Sequence, residues 1–246
     1  MPPTTCADLL RTLTADPGRP RITWYGDAGE RIELSGAVLE NWVNKTTNLL
    51  VEEFDAAPGL RVLLDLPPHW RSVVWALAVW RAGACVVTAA TVGGPLPALV
   101  VTDEPSRHTG AVPVVAVALP ALSRRYDGPL PSGTMDAASA VMTYGDVLGW
   151  SPTADLDSPA LVGPDAELTH RDLIPSHASR TPRERRLLQL DAMHADGMAA
   201  HLRDVLEVLA ADGSVVLVAG DTSRELAADP ARRSRMVASE GITSVG

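Results

Sequence analysis

Apolar positions along this chain follow two rhythms, a period near 3.6 residues and short unbroken runs. Val38, Leu39, Trp42, Val43, Leu49, Leu50 and Phe54 keep the first rhythm and predict an amphipathic helix, with Ser35 as its N-cap and Pro58-Gly59 as its breaker. A second helix opens at Pro67-Pro68 and runs through Trp70, Val73, Val74, Leu77 and Trp80, and Gly83 stands where a left-handed terminal residue belongs. Between these helices Arg61 to Leu66 is an unbroken run too short for a helix. It suits a strand buried on both faces of a parallel sheet. Ala84 to Thr88 follows as another strand, so strand, helix and strand succeed one another in ~25 residues, a right-handed crossover unit. The first third of the chain is therefore α/β.

The same reading extends outward. Thr4 and Thr5 cap a short helix that runs to about Thr14 and ends at Asp16-Pro17-Gly18, and Ile22 to Tyr25 and Arg31 to Leu34 are short strands around a turn. Leu99 to Val101 and Val112 to Ala118 add strands. Leu119 to Ser139 is rich in Pro, Gly, Ser and Ala and reads as a surface connection or a poorly ordered loop; Thr143 to Leu148 reads as a turn of helix, and Ser151 to Pro159 as linker. Leu187 to Leu190, Asp196 to Leu209 and Ser214 to Val218 complete a strand, a helix and a strand. Trp80 to Val87 and Leu209 to Val216 share one joint, each closing a helix on Gly before a buried strand. The expected organisation is a first α/β subdomain over 1–118, a Pro/Gly-rich connection with a short helix over 119–160, and a second α/β portion over 161–246.

With 246 residues, 46% of them hydrophobic, the chain can bury a sizeable core. The net charge of -9 and the lack of a basic cluster beyond Arg232-Arg233 and Arg235 argue against a nucleic-acid partner. Basic charge is nearly all arginine, Lys45 being the only lysine. The longest apolar segment, Val73 to Trp80, falls far short of the ~20 residues that span a bilayer, and no basic, apolar leader opens the chain, so neither a membrane nor a secretory route is expected. Cys6 and Cys85 have no ligand-spaced partner, which fits a reduced, soluble, cytoplasmic protein with no metal site; the arginine bias suggests a GC-rich coding sequence, and a bacterial protein is expected.

The order of these elements resembles the N-terminal part of the adenylate-forming superfamily, which comprises acyl-CoA synthetases, luciferases and adenylation domains. Val62-Leu63-Leu64-Asp65-Leu66-Pro67-Pro68 resembles its apolar strand ending in Pro-Asn, Tyr144-Gly-Asp-Val-Leu148 its Tyr-x-Asp-Leu-Leu, and Leu190 to Gly197 the segment bordering its acyl pocket. Ala166 to Leu173 resembles the stretch that follows the family's phosphate-gripping loop. The loop itself is missing: Ala160-Leu161-Val162 passes through Gly163-Pro164-Asp165 directly into that stretch. Such a loop works through converging backbone N–H groups, hydroxyls and a lysine, whereas Asp165 and Glu167 bring like charge to a polyphosphate. Lys45 lies on another helix, and Arg171 would supply charge without a backbone cradle. The segments that carry adenine, ribose and Mg²⁺ contacts in the family correspond to nothing before Gly246.

The resemblance implies an α/β fold of mostly parallel sheets flanked by helices, like the front half of the family's large domain. It also implies a degenerate, truncated relative without ATP or Mg²⁺ chemistry and with no catalytic residue. Candidate ligand-binding residues are His194 and Gly197, at the matched acyl-pocket segment, and Thr169 and His170, as a remnant anion site at a helix N-terminus. The plainer alternatives are a corner histidine bonded to backbone and a helix cap with a charged first turn. His177 and His201 read as solvated or packed imidazoles, and Trp70, Trp75 and Trp80 as core. The expected role is binding or interaction, through a homo-oligomer or a protein partner covering apolar surface. Half of a split adenylating enzyme, or a sensor of a small acyl-type ligand, stand as alternatives.

Overall fold

The first helix opens through a reciprocal cap. In the computed structural model, which describes residues 3–27, 29–88, 95–164, 167–175, 182–189 and 197–245, Thr5 Oγ1 accepts from the Asp8 amide and the Asp8 carboxylate accepts from the Thr5 amide. Two orphan donors at the start of α1 (Cys6–Thr14) are thereby satisfied. Strands β1 (Pro20–Tyr25) and β2 (Arg31–Ser35) form an antiparallel pair, and Ser35 Oγ accepts from the Val38 amide where α2 (Gly36–Phe54) begins. That helix stops at Asp55, whose φ of 50° ends it before the expected Pro58-Gly59. Strand β3 (Arg61–Asp65), helix α3 (Trp70–Arg81) and strand β4 (Cys85–Val87) form the anticipated crossover, with Gly83 at φ 75°. Burial along β3 alternates rather than being continuous. Leu63 is half-buried, on the face that carries Cys85, Val87 and Val162.

Strands β5 (Leu99–Thr102), β6 (Val114–Ala116) and β7 (Met135–Asp136) follow, then the short helix α4 (Ala137–Ala140). Next come β8 (Pro159–Val162), β9 (Glu167–Thr169) and β10 (Arg185–Gln189), helix α5 (Gly197–Ala210), and β11 (Ser214–Val218). Helices α6 (Gly220–Ala228) and α7 (Pro230–Ser239) and strand β12 (Ser244–Val245) complete the described chain. The fold class is the expected one, α/β with mostly parallel sheets and helices. Trp70, Trp75 and Trp80 are all buried.

The chain divides into two compact units, and each is discontinuous in sequence. One comprises Met1–Leu39, Pro68–Trp70 and Ile174–Gly246 and holds a five-stranded sheet in the order β12-β10-β11-β1-β2. The other comprises Glu40–Pro67 and Arg71–Leu173 and holds a seven-stranded sheet in the order β7-β6-β5-β3-β4-β8-β9. A contiguous division at 118 and 160 therefore does not describe the molecule. The reason is strand pairing: β1 lies parallel to β11, with Ile22 opposite Val215 and Tyr25 opposite Val218, so both ends of the chain build one core.

Three local expectations also change. Leu119 to Ser139 is tied down, because the Arg71 guanidinium donates to the Leu119, Pro120 and Ala121 carbonyls and β7 adds an outer strand to the seven-stranded sheet. Residues 144–148 form no helix; one 3₁₀ turn, Val141–Thr143, precedes an irregular segment. The second helix-to-strand joint closes on Asp212, at φ 57°, rather than on Gly213. Left-handed backbone costs a non-glycine residue about 1 kcal/mol or more, but Asp212 accepts from Arg21 at 2.7 Å and Arg183 at 2.8 Å. Gly213 is needed for space, since a Cβ there would lie 2.6 Å from the Val208 oxygen and 2.8 Å from that of Glu184.

Candidate functional site

The segment that the sequence resemblance sets against a phosphate loop is a short hairpin. Strands β8 and β9 are antiparallel, with Leu161 opposite Leu168 and Val162 opposite Glu167, so four residues connect the last paired positions. Of those four, Pro164 has no N–H to offer and Asp165 carries a negative charge. Asp165 and Ala166 lie outside the described residues. The Val162 carbonyl accepts from the Thr88 amide at 2.9 Å, which ties the hairpin to the end of β4. Lys45, which the sequence already set aside, and Arg171, the partial substitute in charge, are both engaged elsewhere. Lys45 Nζ donates to the Tyr144 carbonyl at 2.6 Å, and Arg171 places Nε and Nη2 on Asp157 Oδ1 at 3.1 and 2.7 Å.

Thr169 and His170 do not start a helix. Thr169 ends β9 and the chain turns: its Oγ1 donates to Asp172 Oδ2 at 2.8 Å and accepts from the Asp172 amide. With no helix there is no dipole terminus, so the remnant anion site at a helix N-terminus is not formed. The His170 ring is buried, and its Nε2 pairs with the Gly83 carbonyl at 3.0 Å. Burial holds its pKa below the usual imidazole value, so the neutral ring donates and anchors the hairpin to the joint between α3 and β4.

His194 lies outside the described residues, as do Asp196 and His177. Gly197 is the first residue of α5. One turn on, His201 is buried, and its Nε2 meets no hydrogen-bond partner among the described residues. Desolvation pushes its pKa down to about 4, which makes it a packed neutral imidazole at ordinary pH.

The charged clusters are structural too. Glu240, at the end of α7, accepts from Arg185 Nη2 at 2.6 Å, Arg31 Nε at 3.0 Å and Tyr25 Oη at 2.5 Å. Burial acts to raise its pKa, but hydrogen bonds from Arg31, Tyr25 and Arg185 hold it at about 2. Arg21, fully buried, spreads its guanidinium over the Leu13 carbonyl and Asp212. In the other unit Asp65 Oδ2 pairs with His108 Nε2 at 2.7 Å and accepts from Thr102 Oγ1 at 3.2 Å. Among the described residues no three His, Cys, Asp or Glu side chains converge as a metal site, and no helix is long and apolar enough to cross a membrane.

Sequence reasoning missed how α2 uses its polar face. Asn44 and Asn48 are buried despite their polarity, because both donate to main-chain carbonyls of residues 145–147, and Lys45 to that of Tyr144. The available signal was Asn, Lys and Asn within one turn of an otherwise apolar-faced helix.

No family model matches the chain. Over 243 residues it is 37% identical to a TIGR03089 family protein of Mycobacterium tuberculosis H37Rv, spanning 95% of this chain and 93% of that protein. The chain belongs to the TIGR03089 family. Its fold is that of acyl-CoA synthetases, as the sequence resemblance implied. The acyl-CoA synthetase of Brucella canis superposes at a TM-score of 0.72 and 19% identity, over 100% of this chain and 47% of that one. Acetoacetyl-CoA synthetase from Streptomyces lividans gives 0.68 and 17%, over 88% and 38%. This TIGR03089 family member thus spans less than half the length of either synthetase, and at such identities the likeness is one of fold alone.

Proposed function

We propose that this TIGR03089 family protein is a non-catalytic relative of the acyl-CoA synthetases that works by binding a partner rather than by adenylating a substrate. The observation that carries this reading is the β8–β9 hairpin, in which only four residues separate the paired Val162 and Glu167. A reactive triphosphate needs a run of amide donors and a nearby cation. Gly163-Pro164-Asp165-Ala166 offers at most three N–H groups, one of them on a residue whose own charge repels phosphate. These residues do not fit a bound ATP–Mg²⁺.

The test is ATP–pyrophosphate exchange with the purified chain over a panel of carboxylic acids, paired with thermal shift against ATP, AMP and acyl-CoAs. No exchange and no shift with ATP are expected. Acyl-adenylate made by the chain alone would overturn the reading. Stabilisation by ATP would instead favour half of a split enzyme, and stabilisation by acyl compounds alone a sensor whose pocket includes the segment from His194 to Gly197.

A further inference from the structure

Three of the large apolar side chains that face solvent fall within nine residues of one another: Met142, Val147 and Trp150 are 59%, 78% and 76% exposed. A loop free to rearrange would turn such groups inward, because hiding apolar area is favourable and nothing but loop entropy opposes it. This loop is held. Lys45 Nζ donates to the Tyr144 carbonyl at 2.6 Å, and Asn44 Nδ2 to that of Asp146 at 3.0 Å. Asn48 Nδ2 donates to the Gly145 and Val147 carbonyls, each at 3.0 Å, and its Oδ1 accepts from the Gly149 amide at 3.0 Å. Ser151 Oγ closes the far end on the Arg81 carbonyl. The helix thus grips the main chain of the loop and leaves its side chains outward.

The exposed charges carried by α2 and by this segment have one sign. Glu52 and Glu53 on α2 and Asp146 in the loop are exposed, and Glu53 accepts from the Tyr144 hydroxyl. Over α2 and residues 141–151 the sequence offers one cation, Lys45, and its ammonium lies on the Tyr144 carbonyl. A second copy docking through this face would set Glu52, Glu53 and Asp146 against their own images, and an anionic lipid surface would meet the same repulsion.

We propose that the surface formed by Met142, Val147 and Trp150, with the exposed acids Glu52 and Glu53 of α2 and Asp146 of the same loop, docks a basic amphipathic helix of another protein. An exposed tryptophan on a pre-organised backbone is the kind of anchor that dominates binding. Complementary charge sets which partners approach. This deepens the interaction reading above by naming its face and the chemistry of its partner.

The probe is a fluorescein-labelled Leu/Lys amphipathic peptide of about four helical turns, titrated with the full chain in an anisotropy assay. A Leu/Glu peptide with the same apolar face is the control. The Leu/Lys peptide should bind, weaken with added salt, and bind at least about tenfold less tightly to Trp150→Ser; the Leu/Glu peptide should not bind. Glu52→Gln with Glu53→Gln should flatten the salt dependence, and Leu122→Ser, at another exposed apolar site of the same unit, should change nothing. Far-UV circular dichroism confirms that each variant is folded. Equal binding of the two peptides, an unchanged Trp150→Ser, or a dimer that dissolves on Trp150→Ser would each overturn the proposal. Pyrophosphate exchange on the same preparation separates the two readings: activity defeats the non-catalytic role and leaves the docking result standing, whereas indifference to the peptides defeats only the docking face.

Discussion

His170 and Gly83 lie 87 positions apart and meet in a bond between a buried ring and a buried carbonyl. Replacing His170 by Phe keeps a ring of similar size and leaves the carbonyl unpaired, which costs about 1–3 kcal/mol. A lowered urea midpoint at unchanged slope is expected, and an unchanged midpoint would mean that the carbonyl finds another donor. The same residue shows where sequence reading erred. Thr169-His170-Arg171-Asp172 carries the spacing of a capping box, and the structure forms one of its two bonds, the Asp172 amide donating to Thr169 Oγ1, while that hydroxyl donates to Asp172 Oδ2. What it lacks is a helix to cap, because Leu173 and Ile174 turn into the protein and Pro175 follows. Spacing specified the short-range bonds and was silent on what tertiary packing did next.

Among the elements, those with strong local signals were legible: α1, α2, α3, α5 and the strands β1 to β6, β10 and β11 lie within a few residues of where hydrophobic periodicity and turn chemistry put them. Strands β7, β8, β9 and β12, of two to four residues, were not: no long apolar run or period marked them, and each exists because a neighbouring strand offers unpaired backbone. Helices α6 and α7 were also missed; their average polarity hides a narrow buried face around Leu226 and Met236. Of the candidate site, the shortness of the connection between Val162 and Glu167 was readable by counting residues, whereas the clamp of α2 on residues 144–149 needed a fold to bring it together. Helix-to-strand joints give a further check. Gly213→Ala should lose about 2–4 kcal/mol, since its Cβ would press on the Val208 and Glu184 oxygens. Gly18→Ala, where nothing lies within 4 Å of the new methyl group, should stay within about 0.5 kcal/mol in the same denaturation assay.

For the whole molecule, acid is the informative perturbation. His201 titrates near 6.5 when unfolded and at about 4 when folded, so stability is intact above 6.5 and falls as the pH drops toward 4, by up to about 3 kcal/mol. Glu240 titrates near 4.5 unfolded and about 2 folded, so its contribution is intact above 4.5 and is lost as the pH falls through 2. Thermal melts across this range should show two successive losses, with His201→Leu flattening the upper one and Glu240→Gln the lower; coincident curves for His201→Leu and the parent chain would count against a buried neutral imidazole. The pairing of β1 with β11 carries a separate consequence for biosynthesis. A ribosome releases the β1–β2 hairpin almost two hundred residues before the strand that flanks it, so on the nascent polypeptide one backbone edge of β1 and the buried side chains of Ile22 and Trp24 must wait exposed. The strand order thus makes the last step of this sheet's assembly wait for nearly the whole polypeptide to be synthesised.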